Sequence, residues 1–402
     1  MSIPNYIDIR YFGIDFTELR NIKLISINLD TLKIKKQENP SNRIEQLGVT
    51  TYVYDTSADE NVEISYIKVI DNKKFNEFVF GVVANDGGKI ITPYIKLKTS
   101  IKYFEQDGEK RENNSKPLNI SEYQEFIMQI KDYLEDEYEI VIDVSEAKWE
   151  ALELTRQFTL KEKYCKYSLL LEAFYRLAPA RLWGYEEDKR KKAHGLDYER
   201  DKEYGQYIDT MRLGNASVGE IIYNKTKQLK AVYEVEIEIE MMRVELKLKN
   251  SNQCDKAFGD KSIFEITDED LKEYFLKRIQ MDLIQKYKEF IYGVDEEGRK
   301  KKISLEKKLE RRANIKKYKN DKGKYKSGWA NMFFVDVYSL KDKETGMILA
   351  QDTDMILNII KKKTKNNYAR TLKTLNDSIE ERPETKGNLD RFAEINDKLL
   401  NI

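Results

Sequence analysis

From residue 6 to residue 97, apolar and polar positions alternate in short runs: 6–12, 22–32, 49–54, 62–70, 77–83 and 89–97. Breaks fall at Asn39-Pro40, across 55–61, and at Asn85-Asp86-Gly87-Gly88, a hairpin-type turn. A period of two predicts half-buried strands, here joined as an antiparallel sheet. Ser121 reads as the N-cap of a helix reaching Leu134, with Glu122 and Glu125 in its first turn. Tyr123, Phe126, Ile127, Ile130 and Leu134 form its buried stripe. Alternation returns at 139–144 and 152–158, a helix is predicted over 168–177, and 178–209 reads as loop.

Two further strands follow. Ile221 and Tyr223 share a face of a short one. In the other, Val244, Leu246 and Leu248 face one way and Arg243, Glu245, Lys247 and Lys249 the other. From Thr267 the period changes to that of a helix: Thr267 caps an acidic first turn, and Leu271, Phe275, Ile279, Leu283 and Ile284 lie on one face. Residues 354–360 and 367–375 predict two more helices around a lysine run, a weak helix-turn-helix pattern. The chain beyond Pro383 reads as a peripheral helix. The expected fold is α+β: an antiparallel-sheet domain over 1–255 and a mainly helical domain over 260–402.

A length of 402 residues agrees with two domains. Charged residues make up 35% and cancel to a net charge of zero, so only local clusters can announce a polyanion partner. One such cluster is 299–326, with 14 Lys or Arg against 3 acids, among them Arg299, Lys300, Arg311 and Arg312. It reads either as a contact for a nucleic-acid backbone or as a solvated linker. Two cysteines without metal-ligand spacing, and no signal peptide or membrane-length apolar run, lead to the expectation of a soluble cytoplasmic protein without disulfides. With a single histidine, His194, zinc and serine hydrolase plans are disfavoured. Carboxylate chemistry around a hard cation, Mg²⁺ or Mn²⁺, remains.

The strand pattern puts a tyrosine hydroxyl, a lysine and a carboxylate on neighbouring strands, where a metal or phosphate could be held. Lys225, two residues after Tyr223, is expected on the same strand face, where its charge would favour the phenolate or bind a phosphate oxygen. Glu245 and Glu153 are oxygen ligands of the right type for a hard cation. Arg243 shares the face of Glu245 and either contacts DNA or pairs with it. In 178–209, Trp183 and several tyrosines interleave with Lys189, Arg190 and other cations. Such a stretch can stack bases and hold phosphates of a single strand, or pack as an ordered insertion.

Taken in order, the Gly214 and Ser217 segment, the Ile222-Tyr223-Asn224-Lys225 element and the Arg243-Val244-Glu245-Leu246-Lys247-Leu248 strand resemble the catalytic region of rolling-circle replication initiators of the filamentous-phage gene II and plasmid initiation-factor type. The resemblance implies that Tyr223 nicks one DNA strand and stays attached to the 5′ phosphate. It also implies that Glu153, where the family carries an acid in an Ile-Asp-x-Thr-Phe setting, is a metal ligand. The implied partners are a plasmid or phage origin, as single strand and duplex, with a host replication helicase and self-association as further ones. The chain departs from the family in lacking the usual pair of metal-binding histidines. Either carboxylates and amides replace them, a substitute being sought within 93–114, or the site no longer cuts. The alternatives are a DNA-binding protein keeping the fold as a recognition module and an assembly or host-interaction protein of a mobile element.

Overall fold

The computed structural model describes residues 11–27, 117–183, 194–233 and 238–402 except 295–296, 301, 344, 365–367, 381–384 and 402, together with strands lying between 47 and 112. The expectations for Lys189, Arg190, the turn through Asp86, Gly87 and Gly88, and a ligand within 93–114 concern side chains outside these. The chain forms two compact units: Met1–Phe158 with Ala216–Glu220 and Arg243–Phe275, and Thr159–Asn215 with Ile221–Met242 and Leu276–Ile402.

In the first unit, β1 (Tyr11–Arg20) and β2 (Lys23–Ile27) precede β3 (Leu47–Asp55), β4 (Asn61–Asp71), β5 (Phe75–Asn85) and β6 (Ile90–Thr92), which pair in that order as an antiparallel sheet. β7 (Leu97–Ser100) pairs with β1, and β8 (Tyr103–Gln106) with β9 (Glu109–Glu112). Helix α1 (Ile120–Tyr138) leads to β10 (Ile140–Asp143), which pairs with β2, and to β11 (Lys148–Thr159), which pairs antiparallel with β1. The stripe read from the sequence is the one α1 buries, with Tyr123, Ile127 and Leu134 fully enclosed. Each such aliphatic side chain contributes roughly 1.5–3 kcal/mol by leaving water. Tyr123 Oη also shares a buried hydrogen bond of 2.8 Å with Thr17 Oγ1 of β1.

In the second unit, α2 (Ser168–Leu177) matches its predicted bounds. The stretch expected to be loop forms a hairpin instead, β12 (Gly195–Asp201) with β13 (Gly205–Gly214). Its turn is set by Asp201 Oδ1, which accepts from the backbone N–H groups of Glu203 and Tyr204, and by Gly205 at φ 76°. Most of β12 is exposed, so no buried face imposes an apolar alternation on it.

β14 (Val218–Asn224), α3 (Lys225–Tyr233) and β15 (Met241–Leu248) complete the sheet-forming part. The unit boundary falls within both strands. The first unit orders its main sheet β14-β15-β11-β1-β7, and the second orders β12-β13-β14.

Beyond β15 the described elements are helices and isolated bridges: α4 (Ser251–Phe258), α5 (Asp268–Ile279), α6 (Gln285–Tyr292), α7 (Leu305–Ala313), α8 (Trp329–Ser339), α9 (Thr353–Thr364), α10 (Tyr368–Glu380) and α11 (Asn388–Leu400). The fold is α+β with a helical C-terminal part, as the periods predict. Helix α11 is not peripheral. Phe392, Ile395 and Leu399 are buried, Arg391 pairs with Glu162 at 3.1 Å, and Glu394 accepts from Tyr167 Oη at 2.7 Å. Among the described residues no helix is long and apolar enough to cross a membrane.

The start of α1 differs from expectation by two residues. Asn119 is the cap: its Oδ1 accepts from Glu122 N at 2.8 Å, and Glu122 Oε2 accepts from Asn119 N at 3.0 Å. Asn119→Ala should therefore lower unfolding free energy by about 1 kcal/mol while Ser121→Ala leaves it nearly unchanged, as read from urea denaturation midpoints. Equal effects from the two substitutions would return the cap to Ser121.

Candidate metal centre

β15 is buried on both faces, although only one is apolar. Val244, Leu246 and Leu248 enter the core; Arg243, Glu245 and Lys247 form a polar face that continues on β11 through Glu153, Thr155 and Gln157. A third strand adds Asp15. The register of β1 against β11 slips between Ile14 and Phe16, so Asp15 sits at a bulge and has no paired residue opposite it. Bulges re-aim side chains in this way. The result is a cluster of Asp15, Glu153 and Glu245, from three adjacent strands, with ligand oxygens all within 4.8 Å of one another.

Two cations balance it. Lys247 Nζ lies 2.7 Å from Glu153 and 3.4 Å from Glu245. The Arg243 guanidinium is 3.4 Å from Asp15 Oδ2 and donates to Gln157 Oε1 at 3.1 Å. Burial, reinforced by the neighbouring Glu245 carboxylate, pushes Glu153 up to about 8. Burial works against the Lys247 ammonium, but Glu153 and Glu245 outweigh it and hold this lysine above the ordinary range. The cluster is thus a place where positive charge is wanted, and Glu153 is the carboxylate whose hold on a proton burial strengthens.

The donor set fits a hard cation. Asp15, Glu153 and Glu245 would hold such an ion through carboxylate oxygens, the donors that Mg²⁺ and Mn²⁺ prefer. Thr155 Oγ1, wholly buried on the same face, makes no hydrogen bond among the described residues. Asp15 was missed by sequence reasoning, which looked for the third ligand within 93–114. Its signal was nonetheless present, because Ile14-Asp15-Phe16-Thr17 carries the Ile-Asp-x-Thr run sought around Glu153.

Tyr223 is half-buried on β14, in the second unit. Lys225 does not continue that strand: Asn224 Oδ1 accepts from Lys227 N at 3.0 Å, which caps α3, and Lys225 is its first residue, buried with Nζ 2.7 Å from Gln228 Oε1. Arg243, 1% exposed, is an internal partner of Asp15 and not a surface contact for DNA. Trp183 is 41% exposed, its ring 5.1 Å from Tyr175 and 5.3 Å from His194.

The basic stretch is folded, carrying α7 and a helical turn at Lys316–Tyr318. Arg299 pairs with Glu297, Lys300 forms a bridge with Val294, Arg311 is exposed and Arg312 half-buried. Tyr325 stacks on Trp329 at 4.2 Å beneath Lys319, among the exposed Lys322, Lys324 and Lys326.

The solved structures that match include one that is similar over much of the chain. It is the rolling circle replication initiator protein from Geobacillus stearothermophilus, 12% identical with a TM-score of 0.31; the match covers 68% of this chain and 85% of that one. No family model and no curated protein matches.

A cation entering the carboxylate cluster competes with a proton for Glu153, whose proton affinity burial raises. Below about pH 8 the Mn²⁺ affinity should therefore climb with pH, by up to about tenfold per unit for one proton released, and level off above. Calorimetry across this range measures it. Glu153→Gln, which imitates the protonated acid, should bind more weakly and lose the slope; an affinity independent of pH in the unaltered protein would remove Glu153 from the ligand set.

Proposed function

We propose that the chain initiates rolling-circle replication by nicking and rejoining one strand of a plasmid or phage origin. The observation that carries this reading is the convergence of Asp15, Glu153 and Glu245 from three adjacent strands, oxygen donors suited to Mg²⁺ or Mn²⁺ in a chain without a histidine pair. A divalent ion held there would polarise a scissile phosphate and offset charge developing on it. Tyr223 is the nucleophile: its phenolic oxygen gives up its proton to solvent and forms a bond to phosphorus, the bond to the 3′ oxygen breaks, and that oxygen takes a proton from solvent to leave a free 3′ hydroxyl. Reversal of the same step rejoins the strand. Arg243 keeps Asp15 in place.

A denaturant-resistant protein–DNA species should form when the chain is incubated with a single-stranded candidate origin and Mn²⁺. Tyr223→Phe should abolish it with binding nearly intact, since only the attacking oxygen is removed. Survival of the adduct in Tyr223→Phe would move the nucleophile to another tyrosine.

A second reading has its own support. The Lys247 ammonium already lies among the carboxylates, as a cation would, which suits a non-catalytic module that binds DNA through the same fold. Absence of both adduct and Mn²⁺ binding would favour it.

In either reading we assign duplex contact to the exposed lysines around α7 and the turn after it. Replacing Lys316, Lys322, Lys324 and Lys326 by Ala should make the slope of log affinity against log salt shallower by about 0.9 for each phosphate no longer neutralised. An unchanged slope would leave the segment to self-association or a host protein, which sedimentation would then detect.

A further inference from the structure

Helix α8 buries only part of its surface. Ala330, Phe333, Phe334 and Val337 enter the core of the second unit, while Met332 is 40% and Val335 56% exposed. Three residues apart, these two side chains are neighbours on one face of the helix. Valine is a mediocre helix former and neither side chain is buried, so their place on this surface adds little to the stability of the fold.

The helix is joined to a basic hairpin. Residues 316–326 hold six lysines and one acid, Asp321. Lys319 and Tyr325 form a bridge, Asn320 Oδ1 accepts from Lys322 N at 3.1 Å and from Lys324 N at 3.0 Å, and Gly323 turns the chain at φ 72°. Tyr325 stacks on Trp329 in the first turn of α8. Tyr318 Oη donates to Asp336 Oδ2 at 2.6 Å, and Lys317 Nζ lies 2.6 Å from the same oxygen. Asp336 is four residues from Met332, so the hairpin is fastened to the helix beside the exposed strip.

Lys317 is neutralised by that contact. Lys322, Lys324 and Lys326 are exposed, and among the described residues no carboxylate pairs with them. An apolar partner docked on Met332 and Val335 would leave these lysines without counter-charge. Duplex DNA offers both complements: phosphates for the lysines and, in the major groove, the C5 methyl of thymine for an apolar side chain. The groove is about 12 Å wide and admits a helix, and the eleven residues of α8 span roughly 16 Å.

We propose that α8 enters the major groove of duplex DNA and reads thymine through Met332 and Val335, with the hairpin lysines on the adjacent phosphates. This rests on the duplex contact assigned above to those lysines and adds what phosphate contacts cannot supply, a means of telling one sequence from another. Neither the carboxylate cluster nor Tyr223 enters into it.

Selection by the full chain from a pool of short random-sequence duplexes tests this. The selected duplexes should share a thymine-containing core. Replacing a contacted thymine by deoxyuridine, which removes only the C5 methyl, should weaken binding by the unaltered protein about fourfold. In Met332→Ala or Val335→Ala the selected duplex should bind about fourfold more weakly, and replacing the thymine that the side chain covers should then cost nothing. Affinity for unselected duplex, and its salt dependence, should stay as they were. Alanine favours the helix at these exposed positions, and an unchanged thermal melt would verify folding. Duplex binding without sequence preference, a preference retained in both variants, or a deoxyuridine penalty equal in the variants and the unaltered protein would each overturn the proposal and leave the strip to a protein partner. Those failures leave the salt slope set by the lysines intact, whereas absence of duplex binding would remove the lysine assignment as well.

Discussion

The first unit depends on how it keeps three carboxylates together inside a sheet. Unpaired, Asp15, Glu153 and Glu245 would repel one another and be costly to remove from water. Lys247 lies against two of them and Arg243 against the third, and burial together with the Glu245 carboxylate raises the proton affinity of Glu153. Removing one partner from such a buried cluster leaves an uncompensated charge, typically costing about 3–5 kcal/mol. That constraint explains why β15 can alternate charge and hydrocarbon and yet be buried on both sides. The same constraint gathers three oxygen donors, the ligand type that a divalent ion such as Mg²⁺ or Mn²⁺ would need.

The second unit is tied together by contacts from the end of the chain. Helix α11 sends Glu394 to the Tyr167 hydroxyl and to Lys161 N, and Arg391 to Glu162, while Phe392 packs 4.7 Å from the Tyr287 ring. The first three join residues more than two hundred positions apart. Burial, with Asp352 and Tyr292 adding to it, pushes Tyr287 far above the ordinary phenol range, as expected of a tyrosine that packs and does not react. Abundant tyrosine in this chain is thus in good part core material, and an argument for a nucleophile has to rest on more than residue type.

Much of the fold was legible because local periods are set by local geometry. The stripe of α1, the bounds of α2 and the helical texture after Thr267 follow from spacing. Differences arose where something non-local decided. The β12 and β13 hairpin has an exposed strand and so no apolar alternation to betray it. Tyr-x-Lys suggests a shared strand face, but Asn224 caps a helix and takes Lys225 out of the strand. Arg243 looked like a surface charge because a buried arginine and an exposed one have the same letter.

By itself, the sequence determined most of the element types, the absence of a histidine-pair metal site and the candidacy of Glu153 and Glu245, since each follows from residue chemistry and spacing within one segment. Only the tertiary structure decided that Asp15 joins them and that Lys247 and Arg243 serve as their counter-charges. Those partners are brought together across strands from distant parts of the chain, and a single slipped residue in the β1 register determines where the Asp15 carboxylate lies.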